Sequence, residues 1–459
     1  MYGCQQVLIH PNSDLKAILS LICSQSNKLS NCALYYARQI FFKAKRYITK
    51  FELDRKMKSN RHFQTLYSQT AQQLCRSVYE SFASFKQLNA LYQPGELLER
   101  PRPPKYRKNG LNSVSYPKQG LRLIEDGQIR IPLGQTVKVW FNLDCFTIPM
   151  LSNLKFDSIR EVRILPRNRC FYAEFVYKTE AVISDVDKSR VLGIDHGLNN
   201  WLTCINNIGT SFIVDGRHIK SLNRWYNKQV ATIKENKSQG FWSNKLAAIT
   251  EKRNRQVRDG INKTARIVIN HCLENRIGRV VFGWGQGIKQ EINLGKKRNQ
   301  QFVQIPTARL KQRIEQLCQQ YGIEFIETEE ANTSTASFVY GDTLPKHGEK
   351  PNDWKSSGRR VKRGLFRTAI NWYINADANG AANIIRSLGK LLLLGRTQDC
   401  TFRKVSTTLG LDLSGVCRGG LTHPIRIYIW VTAKKKPSRR GFNPSRSIFL
   451  ESPRLQAGE

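Results

Sequence analysis

The chain has 459 residues, 40% of them hydrophobic, and 74 Lys+Arg against 35 Asp+Glu give a formal net charge of +39. The hydrophobic share excludes a purely disordered basic tail. The charge points to a polyanionic partner, because a compact body this basic repels itself until phosphates neutralise it and release their counterions. No uninterrupted apolar run of about 18 residues is present, so neither a spanning helix nor a membrane partner is expected. The opening MYGCQQVLIHPNSD has neither the basic nor the long apolar region of a secretory signal, so none is expected. The 11 cysteines stand singly with no CxxC pair, which suits small core residues in a reducing cytosol.

In chain order, residues 2–9 read as a short strand. Ser13 can cap a helix in which Leu15, Ile18, Leu19 and Ile22 follow at helical spacing, and helical patterning continues, with breaks, to residue 93. Within it Tyr35–Lys50 interleaves aromatics with Arg38, Lys43, Lys45 and Arg46, which suits a nucleic-acid backbone and equally an ordinary amphipathic helix. Residues 100–110, RPRPPKYRKNG, read as a linker. The period then changes to two. Gln128–Ile131, Thr136–Phe141, Ile159–Leu165 and Cys170–Tyr177 are expected as strands of a small β-barrel whose chain is interrupted by the earlier helices.

From Ser189 a second region begins. Val191–Asp195, Trp201–Ile205 and Phe212–Val214 read as three strands joined by tight turns. A long basic helical stretch follows, then a strand at Arg279–Gly283, a helix opened by Pro306, a strand at Ile323–Glu327, and a last helix at about Ala376–Ser387. The order βββ–α–β–α–β–α is that of an RNase H-like α/β domain. Residues 388–459, which include KKKPSRRGFNPSR, are weakly patterned and are expected to be a solvated, mobile tail.

Three groups of acids stand out. Asp195 ends the apolar strand VLGI, at a place where an Asp is often only a turn residue. Its neighbour His196 is read as a neighbour rather than a ligand. Asp377 lies in NADANGAANII; an Asp is favoured at a helix start by the dipole, yet the surrounding Ala376, Ala378, Gly380, Ala381 and Ala382 also suit a helix packed closely on a sheet. The strand Arg279–Gly283 has no acid at its end, and the nearest after it is Glu291. IEFIETEEANTS offers Glu324, Glu327, Glu329 and Glu330, a surface cluster by default but an unusual one in so basic a chain. Carboxylates converging from separate elements are what phosphodiester hydrolysis needs to hold hard divalent ions without His or Cys ligands.

GIDHG, EEANTS and NADANGAANI together resemble the TnpB-type proteins of bacterial insertion sequences, also called OrfB transposases, which are relatives of the compact type V CRISPR effectors. The likeness runs from about residue 2 to 387 and is closest over 189–387. It implies an RNase H-like (RuvC) nuclease domain at 186–335 and 369–390, a β-barrel nucleic-acid-binding domain at 1–12 and 96–185, and a helical recognition lobe at 13–95. A basic insertion at 336–368 takes the place of the family's zinc ribbon, and 391–459 is a largely disordered tail. By the resemblance Asp195, Glu330 and Asp377 are the catalytic and metal-binding acids, with Glu329 the fallback for a middle acid that the common pattern places at Val280–Gly283. The implied cofactors are Mg²⁺, with Mn²⁺ as substitute, and a guide RNA from the transposon end. The implied partner is double-stranded target DNA bearing a short adjacent motif, read by base pairing and backbone shape.

No cysteine lies between Cys318 and Cys400, so no zinc is expected there. Arg359, Arg360, Lys362, Arg363 and Arg367 read equally as phosphate contacts or as a solvated loop. The family places the protein in a prokaryotic cytoplasm, at the nucleoid. Three other readings stand beside the guided endonuclease: a nuclease-dead RNA-guided DNA-binding repressor, a DDE-type transposase, and a non-catalytic RNA-binding protein.

Overall fold

A computed structural model of the protein describes residues 1–108, 110–285, 305–345, 348–362, 364–388, 392–393, 405–406, 416 and 418–430. The chain divides into two compact units, Met1–Glu180 and Ala181–Glu459. Among the described residues no helix is long and apolar enough to cross a membrane.

In the first unit β1 (Tyr2–Ile9) leads into α1 (Ser13–Lys43), α2 (Lys50–Met57), α3 (Arg61–Thr65) and α4 (Ser68–Tyr92). The cap of α1 is Asn12 rather than the expected Ser13: the Asn12 carboxamide accepts the Leu15 N–H at 2.9 Å. Ile18, Leu19, Ile22, Leu29 and Ala33 bury one stripe of α1. The residues read as a linker lie along this helix, because Arg38 donates to the Pro104 carbonyl at 2.7 Å and Asn31 exchanges two hydrogen bonds with the Arg107 backbone.

The chain then forms β2 (Val114–Pro117), β3 (Arg122–Leu123), β4 (Gln128–Pro132), α5 (Gln135–Phe141), β5 (Cys145–Pro149), β6 (Ile159–Arg167) and β7 (Cys170–Lys178). These strands do not close into one barrel ladder; they make two antiparallel sheets, β1-β7-β6-β2 and β3-β4-β5, around a shared core with the helices. Thr136–Phe141, expected as a strand from its alternation, is the helix α5. Gly134 at its start lies so close to the α3 end that an added Cβ would sit 2.2 Å from the Thr65 carbonyl oxygen, and only Val137 of the helix is buried. Asn142 ends it in the left-handed region at φ 47°.

The second unit is built on β8 (Asp187–His196), β9 (Asn200–Asn206), β10 (Ser211–Asp215), β11 (Ile277–Gly283) and β12 (Glu324–Thr328). The long basic stretch between β10 and β11 is two helices, α6 (Arg217–Lys234) and α7 (Asn244–Glu274), and α8 (Thr307–Gln320) precedes β12. Three short strands, β13 (Arg359–Lys362), β14 (Leu365–Arg367) and β15 (Tyr373–Asn375), form an antiparallel sheet before α9 (Ala376–Arg386). A short pair, β16 (Leu392–Leu393) and β17 (Val405–Ser406), precedes α10 (Arg418–Thr422) and β18 (Ile425–Ile427).

The main sheet runs β12-β11-β8-β9-β10-β18, with β9 antiparallel to both neighbours and every other pairing parallel. Alternate residues of a strand face opposite sides. Leu192, Ile194, Val280 and Phe282 therefore join the core under α7 and α8, while Val191 and Val281 join the one under α9. β18 corrects the expectation of a solvated tail for residues 425–427, which pair with Phe212–Val214. Residues 431–459, with the basic run, lie outside the described residues.

Candidate active site

The same alternation places Asp195 on the α9 side of the sheet, two and four residues after Gly193 and Val191. Gly193 is what lets α9 approach: a Cβ there would lie 2.4 Å from Ile385 Cγ1 and 2.5 Å from the Ala381 carbonyl. Gly380, one turn along α9, faces Asp195 itself, with its missing Cβ 2.9 Å from Oδ2. The small residues of NADANGAANII thus bring the helix start onto the tip of β8.

Asp377 stands in the first turn of α9, whose cap is Asn375 accepting the Asp377 and Ala378 N–H groups. Each of its carboxylate oxygens has one donor. Asn200 Nδ2 reaches Oδ2 at 2.7 Å, and Arg360 Nη2 reaches Oδ1 at 2.9 Å. Glu330 follows β12, in a turn closed by the Thr333 N–H and hydroxyl on the Glu330 carbonyl. Its side chain reaches His196 Nε2 at 3.5 Å, and its Cβ lies 3.5 Å from where a Gly283 Cβ would be. The acid-free end of β11 is therefore the space beside which Glu330 sits. Of the other acids in that cluster, Glu324 pairs with Arg279, Glu327 pairs with Lys311, and Glu329 is exposed.

The electrostatics tie the three acids to one neighbourhood. Burial raises the Asp195 carboxyl well above the usual carboxylate range, and the charges of Asp377 and Glu330 raise it further against the His196 backbone N–H and the Arg360 charge. Burial also raises Glu330. Like charges gathered in a partly buried place favour a cation between them, and an all-oxygen donor set suits a hard divalent ion such as Mg²⁺ or Mn²⁺. Among the described residues, no three His, Cys, Asp or Glu side chains stand close enough to enclose a metal as they are placed.

β13 is exposed throughout; Arg360 pairs from it with Asp377, while Arg359 lies opposite Arg367 of β14. Arg363 falls outside the described residues. Sequence reasoning missed three participants. Asn200 holds Asp377, and the buried Asn379 and Asn383 of α9 fasten the turn that leads into the insertion by donating to the Ala336 and Thr333 carbonyls. Their spacing of four on one helix face is the signal that could have found the last two.

Residues 174–285 match the family OrfB_IS605, described as a probable transposase, and residues 308–384 match the Cas12f1-like TNB domain. These two segments are thus similar to the OrfB-type transposase family and to a domain named for the Cas12f1-like effectors. The OrfB-type match contains Asp195 and β11, and the TNB match contains Glu330, Arg360 and Asp377. Among solved structures, a Cas12f1–sgRNA–target DNA complex aligns with a TM-score of 0.54 at 16% identity, covering 81% of this chain and 83% of that one. This is a likeness of fold. The mini-RNA-guided endonuclease CRISPR-Cas_phi3 aligns at a TM-score of 0.39 and 10% identity, over 84% of this chain and 92% of that one. No curated protein sequence matches the chain.

Proposed function

We propose that the chain is a TnpB-type, transposon-associated RNA-guided DNA endonuclease that hydrolyses phosphodiester bonds at a single RNase H-like (RuvC) site formed by Asp195, Glu330 and Asp377. The observation that carries this reading is the placement of acids from three separate segments about one sheet tip: Asp195 faces Gly380 of the helix whose first turn holds Asp377, and Glu330 sits beside His196 and Gly283. The strand order β10-β9-β8-β11-β12 with β9 alone reversed supports the RNase H-like assignment. When bound there, Mg²⁺ ions would supply an activated water and stabilise the leaving oxygen. The protein's own contribution is orientation. Asn200 and Arg360 fix one Asp377 oxygen each, and Arg360 sets a guanidinium beside the acids where a backbone phosphate would lie.

In this reading a guide RNA from the transposon end pairs with double-stranded target DNA next to a short motif, while the basic surface, including Arg359, Lys362 and Arg367, holds phosphates. The setting is the prokaryotic cytoplasm, at the nucleoid. A nuclease-dead RNA-guided repressor is the second reading.

The deciding experiment is cleavage of target DNA with a cognate guide in Mg²⁺. The expected result is cutting that Asp195→Ala and Glu330→Gln each reduce by at least ~10²-fold, the scale of removing one charge-stabilising group, with guide-dependent DNA binding retained. Guide-dependent binding with no cleavage in Mg²⁺ or Mn²⁺ would give the repressor reading instead. Full cleavage by Glu330→Gln would return the middle role to Glu329.

A further inference from the structure

Asp377 is held by a row of side chains that ends at the far end of the described chain. Asn200 Nδ2 donates to Asp377 Oδ2 at 2.7 Å, and Arg426 Nη1 donates to Asn200 Oδ1 at 3.0 Å and to Asp215 Oδ2 at 2.8 Å. Asp215 is only 5% exposed and is also bound by Arg217, through its Nε and backbone N–H. Burial alone would raise Asp215, but the Arg217 hydrogen bonds and the charges of Arg217 and Arg426 hold its carboxyl below the usual range. The carboxylate therefore stays available to anchor Arg426.

We infer that Arg426 is a positioning residue for the candidate site, acting on Asp377 through the Asn200 carboxamide. The inference rests on reading Asp377 as one of the metal-binding acids. A carboxamide has a donor end and an acceptor end, and nothing in its shape decides which faces which neighbour. A guanidinium only donates. Arg426 thus forces the Asn200 oxygen toward itself and the NH₂ toward Asp377. Without it the amide can turn over and set a carbonyl oxygen against a carboxylate.

The place of Arg426 is itself fixed by the fold. It lies in β18, in parallel register opposite Ile213 of β10. On one side the Ser211 hydroxyl donates to the Gly420 carbonyl at 2.8 Å. On the other, the Trp430 ring packs over Gly260 and lies 4.3 Å from the His218 ring, with its N–H on Asp259. The charge of Arg426 is met by Asp215, so its effect on the site runs through amide orientation. Supporting groups of this kind commonly change metal affinity by about 10–100-fold.

The test is calorimetric titration of the full chain, without guide, with Mn²⁺ alone. Arg426→Met and Asn200→Ala are each expected to weaken binding about tenfold, and the double variant no more than the weaker single, because both break the same connection. Arg426→Lys, which can only donate, is expected to keep most of the affinity. Arg426→Gln, a shorter polar side chain that can accept as well as donate and so no longer fixes the Asn200 amide, is expected to lose it, and it serves in place of Arg426→Met if that variant melts early. Wild-type affinity in both Arg426→Met and Arg426→Gln, or additive losses in the double variant, would overturn the inference. Asp195→Ala is the control: if it binds Mn²⁺ as wild type does, the metal-site reading falls and the inference with it. If it loses binding while the Arg426 variants do not, only the inference falls.

Discussion

Asp195 sits where burial and two neighbouring carboxylates all oppose its charge. Its folded pKa is raised above the unfolded value, so between the two the folded chain keeps a proton that the unfolded chain has released. Stability must then fall as pH rises through that window. Metal-free wild type is expected to lose thermal stability from about pH 4 upward, and Asp195→Asn to remove part of that slope. At pH 7.5 Asp195→Asn should melt roughly 2–4 °C higher, the shift that about 1 kcal/mol gives a domain of a few hundred residues, while losing cleavage. Melts with and without Mg²⁺ check this: added Mg²⁺ should raise wild type and leave the variant unmoved. Identical pH profiles in the two proteins would contradict the account. Asp195 was legible as the polar end of an apolar strand and Asp377 as an acid among small residues. Glu330 was legible only through the motif it shares with relatives. Asn200 and Arg426 were not legible, since an Asn in a turn and an Arg in a basic chain carry no local signal.

At the scale of elements, α9 and its contact with β8 decide whether the acids meet. A Gly in a helix interior ordinarily costs about 0.5–1 kcal/mol relative to Ala, so Gly380→Ala should help α9 as a helix. The added Cβ, however, would sit 2.9 Å from Asp195 Oδ2. The variant is expected to fold with near wild-type stability and to cut ~10²-fold more slowly, the scale of a displacement of about 1 Å at a reacting centre. Circular dichroism melts beside cleavage rates check both halves, and unimpaired cleavage would show that the contact does not set the site. The strands β8 to β12 were legible because each is a short apolar run between turns, whereas β13, an exposed basic RRVK, and β18, in the stretch expected as a tail, were not. The helix α5 was not, because TVKVWF alternates like a strand while its position against the end of α3 is a matter of tertiary packing.

For the whole molecule, a net charge of +39 predicts binding to nucleic acid that weakens steeply with salt. If six to ten phosphates are contacted, affinity should fall about 10³–10⁵-fold between 50 and 200 mM salt. Replacing Arg359 or Lys362 with Ala should lower the salt slope by about one each. Fluorescence anisotropy across a salt series measures it, and an unchanged slope in both variants would remove β13 from the contact surface. Composition, the alternation in β8 and β11, and the small-residue run of α9 made the strong positive charge, the strands β8 to β12 and the placement of Asp195 and Asp377 legible, because charge and periodicity are properties of neighbours along the chain. The place of Glu330 beside His196, the pairing of Arg360 with Asp377, and the reach of Arg426 to an asparagine 226 residues earlier are decided only by packing. Such contacts follow from sheet order and register, which no local window of sequence contains.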